Sequence, residues 1–103
     1  MNDPLELLKL KNGGEAPAAA VWATMTSLKA MMTSGLPSMF AVIELADHVR
    51  RDKRIPDATR ALLVQRGLME PDGSIHDIVR DVILSAAQGE GVSFALVSPV
   101  VKL

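Results

Sequence analysis

Residues 16–43 read APAAAVWATMTSLKAMMTSGLPSMFAVI, and Lys29 is the one charged side chain among them. The next stretch, residues 44–81, carries 15 charged side chains. A helical segment that is apolar nearly all round has to be buried on more than one side. A chain of 103 residues has few other elements to bury it. The sequence therefore predicts that the core is completed by a second copy or by a partner.

Within the apolar stretch, Pro17 suits a first helical turn. Val21, Trp22, Met25, Leu28 and Met32 then recur at helical spacing, with Ala18 extending the stripe. Thr24, Ser27 and Ala30 form a small, weakly polar opposite face. Gly35 closes this helix as a C′ residue. The next helix is predicted from Pro37 or Ser38 to about Arg51. Its expected buried stripe is Met39, Phe40, Ile43, Ala46 and Val49, with Asp47 and Arg51 paired four apart on the wet side.

Working outward, Pro56 begins another helix, lined by Ala58, Ala61 and Leu62 and ended by Gly67. Leu68–Glu70 reads as extended and Pro71-Asp72-Gly73 as a turn. Ser74-Ile75-His76-Asp77 has the form of a capping box, and Ile78, Val79, Val82, Ile83 and Ala86 follow as an apolar stripe. This helix is expected to stop at Gln88-Gly89, before a β-branched run over residues 92–97 that reads as a strand. At the other end, Asp3-Pro4 opens a short segment, 3–12, with Leu5 and Leu8 apolar before Asn12-Gly13-Gly14. It is expected to be a short docking helix or a mobile arm.

The predicted fold is a single mainly α domain over residues 1–103. Four to five short helices form a compact bundle, with a small β-hairpin or C-terminal strand added. Trp22, Phe40 and Phe94 are the only aromatics, so the core is aliphatic and methionine-rich. Net charge is −1 and there is no cysteine, which rules out disulfides and thiolate zinc sites and suits a cytoplasmic setting. Pro4, Glu6, Lys9 and Lys11 interrupt any signal peptide. The uncharged runs 16–28 and 30–43 are each shorter than the about 18 residues of a membrane span, so no membrane partner is expected.

Catalytic patterns fail on geometry. Ser74, His76 and Asp77 supply the letters of a nucleophile triad but diverge on one helical turn. Two lone histidines, His48 and His76, do not make a metal site, which needs three or four converging ligands. Gly13-Gly14 and Gly89/Gly91 do not lie between a strand and a helix as a phosphate loop requires. No cofactor, metal or enzymatic activity is expected.

Arg50-Arg51-Asp52-Lys53-Arg54, followed by Arg60 and Arg66, is a basic cluster of the kind that neutralises phosphates. Asp47, Asp52 and Asp57 dilute it. The stretch from Glu44-Leu45-Ala46-Asp47 through Arg66-Gly67-Leu68 to Asp72-Gly73 resembles the core of a winged-helix DNA-binding domain. Its Leu45-Ala46 to Gly67-Leu68 spacing is similar to that of MarR-like regulators. The resemblance implies Thr59 and Arg60 as groove-facing residues and Lys53 and Arg54 as phosphate contacts. Three departures stand against the pattern: Pro56, which shortens the recognition helix, Asp57 at its start, and a helix after Gly73 in place of a strand.

Two functions are thus expected in order. The first is a non-catalytic module that binds itself or another protein through residues 18–43, anchored by Val21, Trp22, Met25, Met32 and Phe40. On that reading, Trp22→Ala or Met25→Asp weakens association without unfolding the chain. The second is nucleic-acid binding through residues 50–66.

Overall fold

The computed structural model of the chain describes residues 3–10, 14–88 and 91–92. The chain opens with a hairpin, β1 (Leu7–Lys9) against β2 (Glu15–Pro17), antiparallel with Leu8 opposite Ala16. Four helices follow among the described residues: α1 (Ala18–Met32), α2 (Leu36–Arg51), α3 (Asp57–Gln65) and α4 (Asp77–Ala86). A second short antiparallel pairing joins β3 (Ala87–Gln88) to β4 (Gly91–Val92). The fold is the expected mainly α bundle with a small hairpin. Residues 93–97 of the expected C-terminal strand lie outside the described residues.

The N-terminal segment is a correction: it is strand, not helix. A helix of so few residues is marginal in water, whereas pairing with β2 satisfies the same backbone groups. The segment also serves α1, whose N-cap Pro17 makes no side-chain cap bond. The Ala18 amide donates to the Glu6 carbonyl at 2.8 Å, and the Ala19 amide donates to the Pro4 carbonyl at 3.0 Å. These are two of the four amides that a helix start leaves free. Leu10, just past the strand, is buried in the core.

α1 buries Ala18, Val21, Met25, Leu28 and Met31. Three residues separate it from α2, whose N-cap Gly35 has φ +114°, a conformation open only to glycine at low cost. Gly35 therefore starts the second helix and does not end the first. α2 buries Ser38, Ala41, Val42, Leu45 and Ala46, a stripe about one residue round from the expected Met39–Phe40–Ile43 face. In a helix with apolar residues on several sides, periodicity alone does not choose the inner face; neighbours do. Here α1, α3 and α4 all pack against α2.

α3 buries Leu63, with Leu62 and Val64 partly covered, while Ala58 and Ala61 face solvent instead of lining the core. α4 buries Val79, Val82, Ile83 and Ala86 of the predicted stripe, with Ile78 partly covered and Asp81 buried beside them, and lies against both α1 and α2. It begins later than the capping box implied. The Arg80 amide donates to the His76 carbonyl at 3.1 Å, which makes His76 the helix boundary. Ser74 is spent on the preceding turn: its amide donates to Asp72 Oδ1 at 2.9 Å and its carbonyl accepts from the Glu70 amide. Leu68 and Met69 are buried beneath this turn.

Candidate functional site

The outer side of the α1–α2 hairpin is where the apolar stretch meets solvent. On α1, Ala19, Trp22, Ala23, Thr26, Lys29 and Ala30 are exposed, at the spacing of one helical face. Trp22 is 39% exposed despite its size. The partly buried Thr24 turns its hydroxyl back to the Ala20 carbonyl at 2.9 Å, and Thr33 bonds to Ala30 in the same way, so neither advertises a free polar group. On α2, Leu36 and Phe40 stand one turn apart and are 61% and 50% exposed. Across residues 16–43 the exposed surface carries the single charge of Lys29.

The five expected anchors divide. Trp22 and Phe40 are at the surface and Met32 is half-buried. Val21 and Met25 are a correction: both are buried in the chain's own core. One chain supplies enough helices to cover that side of α1, so these two residues hold the fold and are closed to a partner. Leu36 was missed by the stripe argument. Its place in the first turn of α2, four before Phe40, was the available signal.

The basic segment is less free than its sequence suggests. Arg51 Nη1 bonds Asp47 Oδ1 at 2.8 Å, the expected i, i+4 pair. α2 ends at Asp52, in the left-handed region with φ +56°. His48 Nδ1 is 2.8 Å from the Lys53 carbonyl and donates to it as drawn, which ties the α2–α3 connection to the end of α2. Lys53 and Arg54 are exposed, Thr59 is half-buried, and Arg54 stands 3.8 Å from Asp57. Arg60 reaches from α3 to the turn ahead of α4, where Nη2 donates to the Pro71 carbonyl at 2.8 Å. Gly73 makes room for it: a Cβ there would sit 3.3 Å from Nη2, on a backbone with φ +91°.

Asp57 occupies the first turn of α3, where its charge opposes an approaching phosphate. After Gly73 the chain runs into α4, so no strand follows in the position of a wing. His76 Nε2 lies 2.7 Å from Glu70 Oε1 on the exposed side of the same turn. Among the described residues, no three histidine or acidic side chains gather as metal ligands. Nor is any helix among them long and apolar enough to cross a membrane. Set against protein-family models, curated proteins and solved structures, the chain matches none.

Proposed function

We propose that this chain is a non-catalytic protein-interaction module that self-associates through the outer face of the α1–α2 hairpin. The observation that carries the reading is the exposure of Trp22, Leu36 and Phe40 within residues 16–43, whose one charge is Lys29. Surfaces of monomers intersperse charges of both signs, and apolar patches without them mark interfaces. A second copy is the favoured occupant because two such stretches, residues 16–43 of each chain, meet with Lys29 as the one charge on either side. The cysteine-free composition supports a cytoplasmic setting.

Sedimentation velocity of the wild type and of a Trp22→Glu/Phe40→Glu variant tests this. The wild type is expected to sediment as a dimer at micromolar concentration. The variant should run as a monomer with unchanged helical circular dichroism, since both side chains lie outside the core. Each anchor is worth about 2 kcal/mol of association if it is a hot spot. Met25→Asp serves as the contrast and should unfold the chain. A wild type that stays monomeric at the highest attainable concentration defeats self-association.

Nucleic-acid binding through Lys53, Arg54, Thr59 and Arg60 is the second reading, supported by the exposure of Lys53 and Arg54 side by side. Fluorescence anisotropy of a mixed-sequence duplex separates the two readings. Binding that collapses as salt rises favours it, and a flat titration at low salt removes it.

A further inference from the structure

A different surface feature lies away from the α1–α2 face. The end of α2, the 52–56 connection, the start of α3 and the 69–73 turn enclose a half-open cleft of about 180 Å³. Its apolar lining is Ile55 and Met69, both buried. Arg54, Arg60 and His48 also line it with one acid, Asp57, and Asp72 lies near enough to Arg60 to feel its charge. An apolar recess with a few convergent polar groups is the ordinary form of a small-molecule site.

We propose that this cleft binds a small monocarboxylate whose body is about the size of a benzene ring. Volume gives the scale of the apolar part: an enclosed cavity of about 150 Å³ accepts benzene, and this half-open cleft offers about 180 Å³. Charge decides the polar end. Planar guanidinium groups match carboxylates in two-point hydrogen bonding. Arg60 uses Nη2 on the Pro71 carbonyl, one of the five N–H donors of a guanidinium, and is held in place by it. Arg54 and Asp57 stand 3.8 Å apart, beyond hydrogen-bond length, with both side chains mostly in water, so a ligand carboxylate displaces little there. His48, tied through Nδ1 to Lys53, fixes part of the wall. The apolar body would rest on Ile55 and Met69, and the carboxylate would lie towards the two arginines.

Benzoate is the probe, with benzyl alcohol and benzylamine as controls, each titrated into the ¹⁵N- and methyl-labelled full chain at low salt and followed by NMR. Saturable shifts at Ile55, Met69 and the Arg60 Nε–Hε are expected with benzoate, in the millimolar range typical of so small a ligand. Benzylamine should leave them unmoved and benzyl alcohol should bind more weakly. Arg54→Gln, a change at an exposed side chain, is expected to weaken benzoate by about tenfold while the rest of the spectrum stays superimposable. The proposal is overturned if benzoate gives no saturable shift in this wall, if benzyl alcohol binds as well, or if Arg54→Gln leaves the affinity unchanged.

Discussion

Asp72 works through one carboxylate oxygen. Oδ1 accepts the Ser74 amide, and that bond, followed by the Ser74 side chain and more distantly the Arg60 charge, holds the carboxyl below its ordinary value of 3.8. A carboxyl lowered on folding contributes stability that is fully present above the unfolded value and is lost as pH falls through the folded one. The window is therefore the acid side of 3.8. A ¹³C NMR titration should place the Asp72 midpoint below 3.8, and Arg60→Gln should raise it only part of the way. A full return to 3.8 in that variant would put the guanidinium ahead of the turn bond. The same residues show why local motifs mislead. Ser74 and Asp77 satisfy the letters of a capping box, but Asp72-Gly73-Ser74 also satisfies those of a turn, and the hydroxyl residue serves the turn. Trp22 and Val21 give the parallel case in the apolar half: adjacent in sequence, they point about a quarter-turn apart, and only one is inside.

Helices were legible as elements far better than as faces. α4 keeps Asp77 and Arg80 in water, and four of the five residues of its predicted stripe are buried, although Asp81 is buried with them. α1 and α2 are apolar on several sides, so their spacing fits more than one orientation and the neighbours decide. Strand β1 was hidden for a different reason: Asn12-Gly13 between it and β2 is a hairpin-type dipeptide, but it serves equally well as the end of a short helix. Of the candidate site, Trp22 and Phe40 were readable as interface-type residues. The cleft was not, because Ile55 and Met69 come together only when the connection and the turn close on one another. The hairpin's service to α1 yields a prediction at this scale. The Ala18 and Ala19 amides should show slow hydrogen exchange despite lying in a first helical turn, because Glu6 and Pro4 accept them. Removing residues 3–9 should abolish that protection and cost about 2 kcal/mol in urea denaturation, the value of two lost caps. Unchanged exchange at Ala18 would refute it.

One chain closes a core that runs from Leu10 to Ala86, drawing on the hairpin, all four helices and the 68–69 segment. Its radius of gyration is 13.2 Å, against about 13 Å for a compact domain of 100 residues. The expectation that the core requires a second copy thus gives way to a narrower one: association adds to a finished fold. Thermal unfolding makes the distinction measurable. A self-associating wild type should gain melting temperature with concentration by mass action. The Trp22→Glu/Phe40→Glu variant should melt cooperatively at a concentration-independent temperature. A variant that no longer melts cooperatively would mean that the outer face is needed to fold. The first clasp of the molecule has a different kind of consequence. Glu6 and Pro4 hold α1 with main-chain carbonyls, which every amino acid possesses, so residue identity at these two positions is nearly free to drift. Spacing is not. Dropping or adding one residue between Pro4 and Lys9 would bring the wrong carbonyl to each amide and turn Leu8 to the opposite side. In that arm the fold depends on chain length more than on side-chain identity.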